Sequence, residues 1–81
     1  MIVNGLGLDF ESAQALAKAA AQRLAPGAML LAWYDRPRGR ESPEVPECTR
    51  KPGWLAYAES HGGDIRVDIN HGEYVFMFNP G

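Results

Sequence analysis

The sequence predicts a small α+β fold, in which an antiparallel-type sheet of three to four strands packs against two helices. Three patterns indicate it. An alanine-rich segment near the N-terminus has helical spacing, AMLLAWYD is an apolar run of strand length, and DIRVDIN alternates apolar and polar residues before a turn and a second apolar run. A chain of 81 residues has room for one core, so 1–81 is expected to be a single domain.

Residues 9–25 are predicted to form the first helix. Asp9 is placed to cap the helix N-terminus, and Pro26 follows the predicted end. Apolar side chains recur at helical spacing, so we expect that side of the helix to face the sheet. The apolar positions are Phe10, Ala13, Leu16, Ala17, Ala20 and Leu24.

Residues 28–35 are predicted to form a strand that is covered on both faces, because the run is apolar almost throughout. The opening of the chain, 1–4, is a candidate for a further strand. Strict alternation would divide 28–35 into two faces. One face would carry Met29, Leu31 and Trp33, and the other Leu30, Ala32 and Tyr34.

Residues 64–70 and 73–78 are predicted to pair as a hairpin. A two-residue loop at His71 and Gly72 gives one wholly apolar face, whereas an odd loop would place a glutamate opposite an isoleucine. The even connection is therefore predicted. The final strand is apolar on both faces, so we expect it to lie centrally, beside 28–35. The predicted pairs are Ile69 with Tyr74, Val67 with Phe76, and Ile65 with Phe78.

Residues 53–61 are predicted to form a second, short helix. Pro52 suits a helix start, and the glycines at 62–63 suit a helix end. A helix of this length is unstable by itself. We therefore expect it to dock on the sheet through Trp54 and Tyr57.

Residues 35–51 are predicted to form a long loop. Prolines at 37, 43 and 46 oppose regular structure. The loop holds five of the eight basic residues, which makes it the one locally basic part of a chain with net charge −2. Loops longer than about 12 to 15 residues tend to be either functional or disordered. A solvated connection and a recognition loop therefore both remain open.

A ligand site at this loop is one hypothesis. Arginine guanidinium groups offer forked donors to a carboxylate or phosphate. Aromatic side chains at the two ends of the loop would add an apolar wall. The candidate ligand-binding residues are Trp33, Tyr34, Arg36, Arg38, Arg40 and Trp54.

A small thiol-dependent enzyme is the alternative from another class. Cys48 would be the nucleophile, His61 or His71 the base, and Asp35 or Glu47 the orienting carboxylate. No glycine motif for an oxyanion hole surrounds the cysteine, so a protein without enzymatic activity is favoured. The same cysteine and histidines lack a close ligand pair, so neither a metal site nor a cofactor is expected.

The composition also bears on partners and location. The negative net charge argues against nucleic acid and anionic membranes as partners. One cysteine excludes an internal disulfide, and neither a leader nor an apolar run of membrane length is present, which together favour the cytoplasm. The favoured function is a cytoplasmic binding or protein-interaction module, with a homodimer through an exposed sheet edge or face as a candidate assembly.

The order of several short motifs resembles a small prokaryotic domain family of unknown function. In that family Tyr-Asp follows a strand, Ser-Pro and Cys lie in a loop, Pro-Gly-Trp begins a helix, and Gly-Glu-Tyr lies in a hairpin. The match covers 28–78, implies a single α+β domain, and brings no established activity. It directs attention to Tyr34, Asp35, Ser42, Pro43, Cys48, Pro52, Gly53, Trp54, Gly72, Glu73 and Tyr74.

Overall fold

The computed structural model describes residues 2–3, 9–44, 52–70 and 72–81. The predicted α+β class is confirmed, because two helices are interspersed among the strands of a largely antiparallel sheet. The elements are β1 (Ile2–Val3), α1 (Phe10–Leu24), β2 (Met29–Asp35), β3 (Arg40–Ser42), α2 (Gly53–Ser60), β4 (Ile65–Ile69) and β5 (Tyr74–Asn79).

The strands form a single sheet in the order β1-β4-β5-β2-β3. All neighbours pair antiparallel except β1, which runs parallel to β4. The described sheet therefore has five strands rather than three to four, because β3 joins it as well as the candidate strand at the N-terminus. α1 packs on one face of the sheet and α2 on the other.

The C-terminal hairpin has the register that the even connection predicts. Its turn is closed by the backbone N–H of Glu73, which donates to the carbonyl of Asn70 at 3.2 Å. From Tyr74 to Phe78 β5 is buried on both faces, and β2 lies beside it, as expected. The observed pairs include Ile69 with Tyr74, Val67 with Phe76 and Ile65 with Phe78.

α1 begins and ends within a residue of its predicted limits. Asp9 caps it, since Oδ1 accepts a hydrogen bond from the backbone N–H of Ser12 at 2.8 Å. Leu24, the last helical residue, lies beyond the buried stripe and is 62% exposed, so its predicted place on the packed side is wrong. The buried stripe is formed by small side chains, which allow close approach to the sheet: Ala13, Ala17, Ala20 and Ala21.

β2 contains a bulge that strict alternation does not predict. Its register with β5 shifts immediately after Leu30, and Leu31 is the extra residue. Leu30 and Trp33 consequently both pack on the α1 side, whereas Leu31 and Tyr34 pack on the α2 side. The prediction that Leu31 and Trp33 share a face is therefore wrong.

Part of the predicted loop at 35–51 is regular structure. Arg40–Ser42 form β3, which pairs with 33–35 of β2. Pro37 does not oppose this pairing because it lies in the turn between the two strands. The remainder at 45–51 lies outside the described residues.

α2 matches the predicted short helix to within one residue at its end. Trp54 is buried, so docking through this side chain is confirmed. The helix ends at the predicted glycines. Gly63 donates its N–H to the carbonyl of Ala58 at 2.8 Å, and Gly62 has a φ of 80°, which is a left-handed helix end.

Candidate functional site

A cleft of about 490 Å³ lies between the start of α1 and the β2–β3 hairpin. One wall comes from the first turns of α1 and the other from the hairpin. Polar and charged side chains make up most of the lining, with two aromatic rings among them. The lining residues are Asp9, Phe10, Glu11, Gln14, Trp33, Arg38 and Arg40.

The β2–β3 turn determines which arginines reach the cleft. The N–H of Gly39 donates to the carbonyl of Arg36 at 3.1 Å, and Gly39 has a φ of 62°, a conformation that suits glycine. This closes the turn, so that Arg40 lies directly opposite Asp35 in the ladder.

Arg40 is held at the cleft by a buried carboxylate. Its Nη2 donates to Oδ2 of Asp35 at 3.1 Å. The Asp35 side chain is 1% exposed and the Arg40 side chain 51%, so the pair joins the interior to the cleft. The guanidinium carbon of Arg40 also lies 5.9 Å from the centre of the Phe10 ring, within cation–π range.

One oxygen of Asp35 is left without a partner. Oδ1 is buried and has no hydrogen bond, whereas Oδ2 accepts from Arg40. Buried polar atoms in proteins are rarely left in this state, because the lost hydration is not replaced. A hydrogen-bond donor at Oδ1 would therefore stabilise this carboxylate.

The aromatic part of the cleft is continuous with the core under α1. The ring centres of Phe10 and Trp33 are 4.5 Å apart, and those of Phe10 and Phe76 are 5.7 Å apart. Phe76 is fully buried, while Phe10 and Trp33 are partly buried. Packing against the core thus fixes the two rings that reach the cleft.

Two ionisable groups at the α1 end of the core have shifted pKa values. The backbone N–H of Ser12 holds the pKa of Asp9 below its ordinary value of 3.8, and the positive charge of Arg38 acts in the same direction. Burial raises the pKa of Tyr74 above its ordinary value of 10.0, and the negative charges of Glu73 and Asp35 add to this.

The predicted ligand-binding residues do not form one site. Trp33 and two of the arginines, Arg38 and Arg40, line the cleft. Arg36 lies instead at a second hollow with Pro37, Asn70 and Glu73. The three arginines alternate along the sequence but do not lie on one strand. Arg36 and Arg38 lie in the turn, and Arg40 begins β3.

The predicted aromatic wall is divided between two faces of the sheet. Tyr34 and Trp54 stack on the α2 side, with ring centres 5.5 Å apart and an angle of 3° between planes. Trp33 lies on the α1 side. The prediction of a common wall is therefore wrong, because neighbouring residues of a strand point in opposite directions.

The candidate residues of a thiol enzyme are not brought together within the described chain. Asp35 pairs with Tyr74 at the start of β5. The carbonyl of His61 accepts from Nδ2 of Asn79, at the far end of β5, across 3.0 Å. A strand of this length spans about 17 Å, which separates Asp35 from His61. Cys48, Glu47 and His71 lie outside the described residues.

His61 has local partners. Its ring stacks on that of Tyr57, with centres 4.1 Å apart, and its Nδ1 lies 2.8 Å from the carbonyl of the same residue. Within the described ranges, no group of three or more histidine, cysteine, aspartate or glutamate side chains could hold a metal ion. Nor does any helix there have the length and apolar character to cross a bilayer.

The helix wall of the cleft was not predicted as part of a site. The sequence predicts a cap at Asp9 and a position on the packed side for Phe10, and it marks neither Glu11 nor Gln14 as part of a site. Their common position in the first turns of α1 was visible in the sequence. What brings the hairpin against them is the sheet order, which periodicity does not specify.

Comparisons with known proteins agree with the fold and assign no activity. The family model for a domain of unknown function, DUF5619, matches residues 1–78. An uncharacterized protein from Archaeoglobus fulgidus is 33% identical over 69 residues, covering 85% of this chain and 74% of the relative. A crystal structure of a novel protein from that organism gives a TM-score of 0.78 at 30% identity, covering 98% of this chain and 89% of the other. The chain therefore belongs to the DUF5619 family of domains of unknown function.

Proposed function

We propose that the protein is a small binding module, and that the cleft between α1 and the β2–β3 hairpin binds a small molecule carrying a carboxylate or phosphate group. The observation that carries this proposal is the position of Arg40 between buried Asp35 and the ring of Phe10. A guanidinium fixed in this way loses little conformational freedom when it binds an anion.

Arg40 has donors available for a ligand. A guanidinium carries five N–H groups, and its bond to Asp35 uses one nitrogen. About half of the side chain is exposed, on the side where it lines the cleft. Arg38 lines the same cleft and is exposed, so two guanidinium groups can approach one anionic group.

The two aromatic rings favour a ligand with an apolar part. Phe10 and Trp33 line the cleft and are backed by the core. Burial of a ligand ring or alkyl group here would add hydrophobic stabilisation to the charged contacts. Phenyl phosphate and 3-phenylpropanoate combine both features and are suitable probes.

Two-dimensional NMR of the ¹⁵N-labelled protein tests the proposal. The chain has two tryptophans, and Trp33 lines the cleft whereas Trp54 lies on the opposite face of the sheet. Titration with either probe should shift the indole N–H signal of Trp33 and leave that of Trp54 in place. Absence of a Trp33 shift with both probes at millimolar concentration would contradict the proposal.

Matched arginine variants locate the anion contact. Arg38→Gln should weaken binding of 3-phenylpropanoate by about tenfold, the loss expected for one charged hydrogen bond. Arg36→Gln is the control, because it removes the same charge from the same turn but at the second hollow. Equal losses in the two variants would show that general charge attraction, and not the cleft, accounts for binding.

Self-association is a second candidate function. β3 pairs only with 33–35, so within the described chain the first half of β2 has a partner only on its β5 side. Met29 in this half, predicted to be covered, is 60% exposed, and Leu24 nearby in sequence is 62% exposed. An unpaired edge beside exposed apolar groups is a suitable contact for a second copy of the chain.

Sedimentation velocity over a concentration series tests self-association. A dimer should form at micromolar concentration and should weaken in Met29→Lys, while Arg36→Gln should leave it unchanged. A strict monomer at several hundred micromolar would exclude the dimer. The lone cysteine supports a cytoplasmic location for either function.

A further inference from the structure

We infer that the cleft selects zwitterionic ligands, in which an ammonium group accompanies the carboxylate, as in a free α-amino acid. This inference rests on the proposed ligand-binding function and narrows its ligand class. It follows from how the four charges of the lining are distributed between the two walls.

The walls of the cleft have opposite charge. Arg38 and Arg40 come from the hairpin, whereas Asp9 and Glu11 come from α1. The lining is thus neutral in sum and polarised across its width. A ligand with a single negative charge would be attracted by the arginines of the hairpin wall. The same ligand would be repelled by the carboxylates of the helix wall, which weakens its binding.

The Asp9 carboxylate of the helix wall is influenced by the positive charge of the hairpin wall. Asp9 has a lowered pKa, to which Arg38 contributes, so the two side chains lie within electrostatic reach of each other. One oxygen of Asp9 is engaged by Ser12, which fixes the carboxylate at the helix start. Glu11, in the first turn, is exposed and adds a second acceptor on this wall.

The interior behind the hairpin wall also lacks a donor. Oδ1 of Asp35 is buried without a partner, in the carboxylate whose other oxygen accepts from Arg40. An ammonium group has three N–H donors and no acceptor. The acceptors at the helix wall therefore favour a ligand that brings donors together with its acid group, and Asp35 adds an unsatisfied acceptor at the residue that holds Arg40.

Four probes that share one phenyl ring separate the charges. L-phenylalanine carries both groups, 3-phenylpropanoate only the acid, phenethylamine only the amine, and L-phenylalaninamide an amine with a neutral amide. L-phenylalanine should bind at least tenfold more tightly than each of the other three, measured by the Trp33 indole shift. A shift for 3-phenylpropanoate that is equal or tighter would overturn the zwitterion inference and leave the proposed function intact.

Variants of the helix wall give a second criterion. Glu11→Gln should reduce the preference for L-phenylalanine over 3-phenylpropanoate by about tenfold. The variant would bind the zwitterion more weakly, and it would no longer repel the simple acid at this position. Asp64→Asn, which removes one negative charge just before β4 at the other end of the sheet, should leave the preference unchanged. An unchanged preference in Glu11→Gln would also overturn the inference. Failure of all four probes to bind, or tightest binding by phenethylamine, would overturn the proposed function itself.

Discussion

Arg40 and Asp35 are joined twice, as partners in the β2–β3 ladder and through a hydrogen bond of 3.1 Å from Nη2 to Oδ2. The two ends of this contact differ in environment, because the carboxylate is buried and the guanidinium is half exposed. Loss of the arginine would leave a buried carboxylate with no partner on either oxygen, a costly state. The pair thus links hairpin stability to the shape of the cleft.

Arg40→Gln is expected to lower the free energy of unfolding by about 1–3 kcal/mol, because the buried carboxylate of Asp35 loses its charged partner. Asp35→Asn in the same chain should restore most of the loss, because no buried charge then remains. Urea unfolding of the wild type, both single variants and the double variant measures the coupling. Additive losses in the double variant would contradict this account of the pair.

Asp9→Asn is expected to destabilise the protein near neutral pH and to have little effect in strong acid. The folded-state pKa of Asp9 lies below its ordinary value of 3.8, so its charge stabilises the fold above that value. The contribution is lost as pH falls through the folded-state pKa. Thermal unfolding across this range, for wild type and variant, gives the difference. A difference that persists at the most acid pH would show that shape, and not charge, is responsible.

Tyr74 is expected to limit stability in alkali. Its pKa is raised above 10.0, so the neutral phenol is favoured in the folded state. The associated stability is complete below pH 10.0 and declines as pH rises through the folded-state pKa. Ultraviolet absorbance should show a tyrosine that ionises above the ordinary value, and Tyr74→Phe should remove that step. Persistence of the step in the variant would assign it elsewhere.

Gly63→Ala is expected to lower the free energy of unfolding by roughly 2–3 kcal/mol, through overpacking and a weakened helix end. A Cβ atom at Gly63 would lie 2.7 Å from the backbone oxygen of Ala58, the atom that accepts its own N–H bond. Gly39→Ala is the comparison, because Gly39 has positive φ and nothing within 4 Å of its Cβ position. That variant should lose only about 1 kcal/mol. A smaller loss at Gly63 than at Gly39 would contradict the steric argument.

Elements whose side-chain period is unbroken could be predicted from the sequence. The hairpin register follows from parity alone, because one-residue slippage would place polar groups in the core. α1 follows from Asp9 and the alanine stripe. Both rest on local patterns, and the structure confirms both.

Features that depend on a break in the period, or on contacts distant in sequence, could not be predicted. Leu31 is one apolar residue among several, so nothing in composition marks it as the residue of the bulge. Arg40 is one of three alternating arginines, and its separation from Arg36 arises from the turn between them. The cleft itself requires the sheet order that brings the hairpin to the start of α1.

Leu31 has a consequence for how members of this family can vary in length. It is the extra residue in the ladder, because Leu30 pairs with Phe78 and Ala32 with the next residue, Met77. Removal of Leu31 would therefore restore regular alternation and leave Leu30 in the α1 layer and Ala32 in the α2 layer. A family member shorter by one residue at this point can keep both layers, so one-residue deletions within 29–35 should concentrate at the bulge.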